Sequence, residues 1–348
     1  MTTLEQLMGA ARADVDSAWL PACQVAVGYR GEIVAFGTFG AASDDTRFNV
    51  FSATKPLVAS AVWLLIGEGR LDVSRRVVDY VPEFGTHGKD VVTVEQLLLH
   101  TAGVPSPRLL AEGAVPDVRL RSFEEWELEW EPGSRFEYHA VSAHWVLAEL
   151  IERLGGMDFR DYVEQRVTAP LGLPRVLGVP DSQLDHCAHV VSVGETALDG
   201  FELLANEPAY RAAGIPAGGA FMTAAELAGF YQGLLHDPDG IWDARVLTDA
   251  KTNIRCTFDD PLMGVPANRS LGLVLAGDDG KHMLRYAIFG ADCSPGSFGH
   301  AGAHAQVGWA DPESGISFAY LTNGLDADVM REAIRSNGLA TIASALEL

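Results

Sequence analysis

Ser52 and Lys55 are the residues of this 348-residue chain whose types and spacing point most directly to chemistry. They stand three positions apart in the apolar run FSATKPLVASAVWLL, residues 51–65. Positions i and i+3 of a helix share a face, so this spacing places an amine beside a hydroxyl. Burial disfavours the charged form of a lysine, and a neutral amine can accept the proton of a serine. The pair therefore predicts an activated serine nucleophile.

The element that must hold this pair is predicted to be a helix from about Ser52 to Gly69. Pro56 fits its first turn, and the following residues are apolar nearly all round, which is typical of a buried helix. Ser52 falls near the helix start, where unpaired N–H groups and the dipole stabilise a developing alkoxide. The alternative is that Ser52 only caps the helix and Lys55 extends to the surface, which a buried helix makes difficult.

The strands are predicted near both ends of the chain. CQVAVGYRGEIVAFGTFG alternates around an Arg30–Gly31 turn and predicts a hairpin. From about residue 270 the strand patterns are SLGLVLAG, HMLRYAIFG, AQVGWAD and ISFAYLTN, the last two forming a hairpin that turns at Pro312–Gly315. Helical patterns fill the middle of the chain, and further helices are predicted at the N-terminus and over about 327–346.

This order predicts an α+β fold in which one antiparallel sheet is assembled from both chain ends and flanked by terminal helices. Residues 1–75 together with 246–348 are predicted to form the sheet domain. Residues 76–245 are predicted to form an inserted all-helical lobe. The cleft between the two is the expected place for an active site.

Composition limits the classes of partner. The net charge is −22 and no cluster of lysine or arginine stands out, which argues against a nucleic-acid partner. No apolar run approaches the roughly 20 residues needed to span a bilayer, and the N-terminal stretch lacks the basic and apolar regions of a signal peptide. The four scattered cysteines are expected to be free thiols. We expect a cytoplasmic protein that requires no metal and no cofactor and has no membrane partner.

Five short segments, in their order along the chain, resemble motifs of the serine hydrolases of the class C β-lactamase and penicillin-binding-protein superfamily, and most of all those of the family VIII carboxylesterases. The segments are VFSATKPL, LLLHTAG, EPGSRFEY, PAGGAFMTAAELAGFYQGLL and FGHAGAHAQVGWADPESGISFAYLTNG. The resemblance implies a β-lactamase-like fold. It also implies that Ser52 is the nucleophile, that Lys55 is its lysine partner, and that Tyr138 is a general base working with Lys55.

The same resemblance assigns residues 300–302 to the third motif of the family. It implies that His300 and Gly302 line the substrate site and that the backbone N–H groups of Ser52 and Ala303 form the oxyanion hole. A glycine at 302 would let a strand approach a substrate closely. Each assignment has a structural alternative, because Tyr138 could be a core aromatic residue and His300 a hydrogen-bonded strand histidine.

Two departures from the family pattern favour an ester over a β-lactam substrate. Ala140 stands where the family has the asparagine of its second motif, and His300 stands where β-lactamases usually have a lysine. The sequence therefore predicts a hydrolase of small carboxylic esters that acts through an acyl-enzyme on Ser52. The alternatives are a β-lactamase, a D-amino-acid peptidase or amidase, an acyltransferase, or a non-catalytic binding protein on the same scaffold. The acyl and alcohol specificity and the oligomeric state stay open.

Overall fold

The protein is described by a computed structural model that covers residues 3–196, 198, 200 and 202–348. The α-helices are α1 (Leu4–Asp16), α2 (Lys55–Gly67), α3 (Val94–Leu98), α4 (Pro116–Glu125), α5 (Ser142–Gly155), α6 (Phe159–Val163), α7 (Pro208–Ala213), α8 (Ala224–His236), α9 (Ala244–Thr252) and α10 (Val329–Ser344). The strands are β1 (Ala22–Tyr29), β2 (Glu32–Gly40), β3 (Phe48–Asn49), β4 (Val191–Val193), β5 (Phe221–Met222), β6 (Asp259–Asp260), β7 (Val265–Pro266), β8 (Val274–Leu275), β9 (Phe298–Gly302), β10 (Gln306–Ala310), β11 (Ile316–Thr322) and β12 (Gly324–Asp326).

The main sheet is antiparallel and has the strand order β2-β1-β11-β10-β9-β8 within the described residues. It joins strands from the two ends of the chain, as the sequence predicts. The β1–β2 hairpin turns at Arg30 and Gly31, both with positive φ, which matches the twist of a tight hairpin. The β10–β11 hairpin turns across 311–315, so both predicted hairpins are confirmed.

Helices cover both faces of this sheet. α1 and α10 pack together on one face, where Leu7, Ala11 and Leu339 join a core with strand residues. α8 packs on the other face against β1, β10 and β11. Because both faces are covered, β1 is buried along nearly its whole length. The α+β fold with its flanking terminal helices is confirmed.

The predicted helix at 52–69 begins differently from the expectation. Residues Phe51–Thr54 form a 3-10 turn, and α2 starts only at Lys55, with Pro56 in its first turn. Ser52 therefore lies on the 3-10 turn that leads into α2, three residues before Lys55. The α2 residues from Lys55 to Leu65 are all buried, as the unbroken apolar pattern predicts.

The segment 76–245 is mainly helical, but it also contains β4 and β5. β4 pairs with β12 in parallel, β5 pairs with β3, and α8 lies on the main sheet. The segment is therefore not purely helical, because these pieces complete small sheets with strands from outside it. The proposed division of the chain into two domains stays a prediction.

The prediction of a strand over HMLRYAIFG is wrong. His282–Leu284 forms a 3-10 turn, and Tyr286 and Ala287 adopt positive φ values of 55° and 53°. Such values are incompatible with an extended strand. The turn instead brings Tyr286 beside the residues of the candidate site.

No helix among the described residues is long and apolar enough to cross a lipid bilayer.

Candidate active site

The turn that carries Ser52 is held by contacts to two neighbouring segments. Phe51 has a φ of 44°, an unfavourable value for a residue with a side chain. The Asn49 Oδ1 accepts a hydrogen bond of 2.7 Å from the Phe51 N–H, and the Val50 N–H donates to the Ala220 carbonyl at 3.0 Å. The Thr54 hydroxyl accepts a hydrogen bond from the Ala220 N–H. These contacts keep the strained turn, and with it Ser52, in one position.

Lys55 Nζ is surrounded by three oxygen atoms. It lies 3.1 Å from the Ser52 Oγ, 2.9 Å from the Ala140 carbonyl oxygen and 2.9 Å from the Ala217 carbonyl oxygen. The lysine is 0% exposed. Burial lowers the pKa of Lys55, and the neighbouring Tyr138 offsets part of that change. The predicted hydroxyl–amine contact is present, and backbone oxygens fix the amine on its other sides.

Two local structures supply these carbonyl groups. The first is the tight turn at 215–219, in which the Gly218 and Gly219 N–H groups both donate to the Ile215 carbonyl. A Cβ at Gly219 would lie 2.3 Å from the Ile215 nitrogen, so the turn requires glycine there. The second is the segment 136–140, which ends at Ala140.

His100 fixes the segment 136–140. It has a φ of 57°, its Nδ1 accepts a hydrogen bond of 3.1 Å from the His139 N–H, and its carbonyl accepts from the Glu137 N–H. Its ring also packs 4.7 Å from the ring of Tyr138, centroid to centroid. His100 therefore aligns both Tyr138 and the Ala140 carbonyl.

The Ala140 carbonyl is notable because the sequence has no side-chain amide at this position. The backbone oxygen accepts the lysine hydrogen bond itself. The missing asparagine thus does not leave Lys55 without support. What it removes is an amide side chain at this side of the site.

Tyr138 lies beside Lys55, with 4.9 Å from Lys55 Nζ to the centroid of the tyrosine ring. The rings of Tyr286 and His300 lie 5.8 Å and 6.3 Å from it, centroid to centroid. The structure therefore brings the three residues predicted for proton transfer, Ser52, Lys55 and Tyr138, into one group. Their catalytic roles stay predictions.

The end of β9 packs closely against the Ser52 turn. A Cβ on Gly302 would lie 2.1 Å from the Val50 carbonyl oxygen, so only glycine permits this approach. Ala303 follows directly in the turn after β9. The backbone of 302–303 is thereby held next to the chain that leads into Ser52, which is what the predicted oxyanion hole requires.

His300 is placed on β9 as predicted, but its side chain is only 3% exposed. Its Nε2 lies 3.1 Å from the Arg269 Nη1, and its Nδ1 lies 2.6 Å from the Ala301 carbonyl oxygen. The imidazole ring is therefore buried in the protein, next to the ring of Tyr138. Its predicted contact with substrate stays a prediction.

Sequence reasoning missed Arg269, which lies in the segment VPANRSLGLVLA at 265–276. A single charge in an apolar segment is the kind of signal that identified Lys55, and it could have identified Arg269. It also missed His144 on α5, which is buried and whose two ring nitrogens have no hydrogen-bond partner among the described residues. His144 stacks on His100 at 6.1 Å.

The buried histidines around the site predict acid sensitivity of the fold. Burial lowers the pKa of His100, His144 and His300 well below the usual value, and that of His139 to about 4. A group with a lower pKa in the folded state binds its proton mainly after unfolding, so stability is lost as the pH falls below the unfolded value of about 6.5. We expect the free energy of unfolding to fall between about pH 7 and 5.5, by up to about 1.4 kcal/mol per pH unit for each histidine.

Urea unfolding followed by tryptophan fluorescence across this range measures the slope. His144→Phe removes one of the titrating groups and should reduce the slope by about one proton. Partly or fully buried carboxyl groups whose pKa is raised by burial oppose the decline nearer to pH 5, and these are Asp14, Glu152 and Glu332. A stability that stays constant from about pH 7 to 5.5 would show that the histidines titrate normally in the folded protein.

Comparison with known proteins places the whole arrangement in a family. The Beta-lactamase family model matches residues 4–341. Esterase/beta-lactamase LipL of Mycobacterium tuberculosis is 27% identical over 317 residues, which is 81% of this chain and 70% of LipL. Penicillin-binding protein 4 of Amycolatopsis lactamdurans is 28% identical over 300 residues, or 83% of this chain and 75% of that protein.

Solved structures agree with the sequence comparisons. A family VIII carboxylesterase superposes with a TM-score of 0.77 at 25% identity and covers 97% of both chains. A penicillin-binding protein homologue from Caulobacter crescentus superposes with a TM-score of 0.79 at 25% identity, again over 97% of both chains. The resemblance inferred from the five sequence segments is therefore confirmed, and this chain belongs to the Beta-lactamase family of serine hydrolases.

Proposed function

We propose that this protein hydrolyses small carboxylic esters through an acyl-enzyme on Ser52, with Lys55 and Tyr138 as its base pair. The observation that carries the proposal is the position of Lys55 Nζ, 3.1 Å from the Ser52 Oγ and bonded to the carbonyls of Ala140 and Ala217. A neutral amine has two N–H donors and one lone pair. In that form both donors can bind the two carbonyls, and the lone pair can accept the proton of the Ser52 hydroxyl.

In the first half of the proposed reaction the Ser52 Oγ attacks the ester carbonyl carbon, and its proton passes to the Lys55–Tyr138 pair. The tetrahedral oxyanion accepts hydrogen bonds from the Ser52 and Ala303 N–H groups. As the C–O bond to the alcohol breaks, the pair returns the proton to the leaving oxygen. The product of this half is an acyl-Ser52 ester and a free alcohol.

In the second half a water molecule attacks the acyl carbon, and the same pair accepts its proton. Collapse of the second tetrahedral intermediate breaks the bond to the Ser52 Oγ, which recovers the proton, and the carboxylic acid leaves. An alcohol or amine in place of water would make the product a new ester or amide, so acyl transfer remains an alternative outcome of the same steps.

The surroundings of Ser52 support an ester substrate. The lysine acceptor at position 140 is a backbone carbonyl, so no asparagine amide is present to bind the acylamino group of a β-lactam or peptide. The basic side chains of the third-motif region, His300 and Arg269, are 3% and 1% exposed. Neither of these two side chains offers a substrate carboxylate an accessible cation. The esterase names of LipL and of the family VIII carboxylesterase agree with this choice.

β-Lactam hydrolysis is the second candidate, because the name of LipL joins both activities. A panel of p-nitrophenyl acetate, p-nitrophenyl butyrate, nitrocefin and a D-amino-acid amide separates the candidates. We expect the highest kcat/KM with the two esters and a mass increase of one acyl group on the peptide that contains Ser52. Faster turnover of nitrocefin, or acylation at a residue other than Ser52, would overturn the proposal.

A further inference from the structure

The turn that joins β9 to β10 carries the Ala303 N–H of the proposed oxyanion hole. The next two residues, His304 and Ala305, have φ values of 56° and 67°. Residues with a side chain adopt this left-handed conformation only at an energetic cost, and normally as single residues rather than in succession. Contacts from elsewhere in the protein must therefore hold the turn in this shape.

Gln306 makes the first attachment of this turn. Its Nε2 donates to the His304 carbonyl at 3.2 Å and to the Thr322 carbonyl at 3.0 Å, and its Oε1 accepts a hydrogen bond from the Thr322 N–H. The side chain of Gln306 is buried. These bonds tie the backbone of His304 to the end of β11.

The His304 side chain makes the second attachment. Its Nδ1 lies 3.0 Å from the Asp326 carbonyl oxygen, and its Nε2 lies 3.4 Å from the Glu202 Oε1. Asp326 belongs to β12, and Glu202 belongs to the 3-10 turn Glu202–Asn206. The side chain of His304 is only 11% exposed. The ring therefore connects the turn after β9 to two segments that are distant or separate in the chain.

Both ring nitrogens of His304 face groups that only accept hydrogen bonds. A carbonyl oxygen and an ionised carboxylate have no proton to donate, so each nitrogen must supply one, and an imidazole with two N–H groups is a cation. Burial alone would lower the pKa of His304, but the Glu202 carboxylate and the Asp326 carbonyl outweigh burial, and the pKa is raised. The contacts therefore hold His304 as an imidazolium.

The other charged groups near His304 have partners of their own. Glu332 on α10 also favours the charged form of His304, but its carboxylate forms an ion pair with Arg335. The Asp326 carboxylate forms an ion pair with Arg331. The direct ion pair of the imidazolium is thus the one with the 3-10 turn.

The Ala303 N–H is available to a ligand. Within the described part of the chain it donates to no backbone or side-chain acceptor. Gly302, which precedes it, packs against the Val50 carbonyl next to the Ser52 turn. A donor of an oxyanion hole is effective only when it is aimed at the oxygen that develops charge, so the shape of the turn matters for the reaction.

We propose that His304, bridging the Glu202 carboxylate and the Asp326 carbonyl, is a positioning residue that aims the Ala303 N–H at the oxyanion. The proposal rests on the function proposed above, because the N–H has this task only if Ser52 attacks an ester carbonyl. His304 acts through the turn and not on the substrate. Its ring holds in place a backbone conformation that its residue type disfavours.

His304→Asn tests the bridge, because asparagine tolerates the left-handed conformation but is too short to reach both partners. We expect kcat for p-nitrophenyl acetate to fall about 10- to 100-fold, less than the loss of about 10²–10³-fold for a whole donor. KM should stay within about threefold, because the oxyanion hole acts in acylation and in deacylation alike. Labelling of Ser52 by a fluorophosphonate probe should slow by a similar factor.

Glu202→Gln and Glu202→Ala test the partner of His304. The amide of glutamine can donate to the Nε2 of a neutral imidazole, so at pH 6.5 Glu202→Gln should keep wild-type kcat, whereas Glu202→Ala should lose as much as His304→Asn. In the wild type the imidazolium loses its proton as the pH rises through its raised pKa, and the bridge to the carboxylate is lost with it. The ratio of kcat in Glu202→Gln to kcat in the wild type should therefore rise above one with increasing pH.

His87→Asn is the matched control. His87 also has a left-handed backbone, with a φ of 52°, and it is exposed in the helical segment. The same substitution there changes a histidine in the same conformation without touching the turn after β9. It should leave kcat, KM and the labelling rate at their wild-type values.

Wild-type kcat in His304→Asn, or an equal loss in Glu202→Gln and Glu202→Ala at pH 6.5, would overturn the proposal. So would a loss of thermal stability in His304→Asn with an unchanged kcat and labelling rate, since the bridge would then only stabilise the fold. If the protein hydrolyses no ester yet Ser52 is labelled more slowly in His304→Asn, the proposed function fails and the role of His304 stands. If esters are hydrolysed through Ser52 and His304→Asn matches the wild type, only the role of His304 fails.

Discussion

Ser52→Ala lowers kcat/KM for p-nitrophenyl esters by at least about 10⁴-fold, the loss expected when a nucleophile is removed. The Ser52 hydroxyl is the atom that would form the covalent intermediate, and its partner Lys55 Nζ cannot replace it, because two backbone carbonyls hold the amine in place. Steady-state kinetics and labelling by a fluorophosphonate probe measure the effect. The variant should show neither turnover nor label.

The fold should survive this change, since the hydroxyl is a partly exposed group on a turn held by other contacts. Ser60→Ala is the matched control. Ser60 is a buried serine of helix α2, which follows the Ser52 turn, and its hydroxyl donates to the Leu57 carbonyl at 2.7 Å. It should keep wild-type kcat/KM and full labelling. An active Ser52→Ala protein would remove the acyl-enzyme from the proposed mechanism and would favour a binding protein or another nucleophile.

Local patterns in the sequence were enough to predict the parts of the site that depend on neighbouring residues. The pair Ser52 and Lys55 belongs to one short stretch, and its spacing already places the amine beside the hydroxyl. The apolar surroundings of Lys55 predicted its burial. The hairpin at Arg30–Gly31 followed from the alternation of side chains and from turn residues. The strand that carries His300 followed only from the resemblance of residues 300–302 to the third motif of the family.

Contacts between distant segments could not be predicted in the same way. The two carbonyls that hold Lys55 come from Ala140 and Ala217, and a backbone oxygen leaves no mark on residue type. Arg269 reaches Tyr138 from a segment 131 positions further along the chain, since 269 − 138 = 131. Tyr286 joins them only because its backbone leaves the extended conformation that the pattern HMLRYAIFG predicted.

Two residues with unfavourable backbone conformations show the same limit of prediction from local sequence. Phe51 and Tyr286 both adopt positive φ without being glycine; Phe51 precedes Ser52, and the ring of Tyr286 lies 5.8 Å from that of Tyr138. Intrinsic preference argues against such conformations, so the surrounding contacts must impose them. The hydrogen bond from the Val50 N–H to the Ala220 carbonyl and that from the Tyr286 hydroxyl to Asp260 join these positions to distant segments. Local sequence rules fail at these two places because long-range packing overrides them.

Lys55→Met should lower kcat/KM for the same esters by about 10³-fold, within the range that general base catalysis contributes. Methionine keeps an unbranched apolar side chain of similar length in the buried position, but it has no lone pair of comparable basicity and no N–H donor. Ser52 remains in the site, so the fluorophosphonate probe should still label it, only more slowly. This separates the loss of the base from the loss of the nucleophile. The rate of fluorophosphonate labelling, followed in samples quenched over time, measures the reactivity of Ser52, and steady-state kinetics measure the loss of kcat/KM.

The loss of the amine also leaves the Ala140 and Ala217 carbonyls without their donor, which costs about 1–3 kcal/mol of stability, mainly at the buried Ala217. Lys89→Met controls for that cost. Lys89 is 0% exposed, and its Nζ donates to the Thr86 and Trp126 carbonyls rather than to a serine. We expect Lys89→Met to lose comparable stability while keeping wild-type kcat/KM. If both variants lost activity equally, destabilisation would explain the result and Lys55 would have no special role as a base.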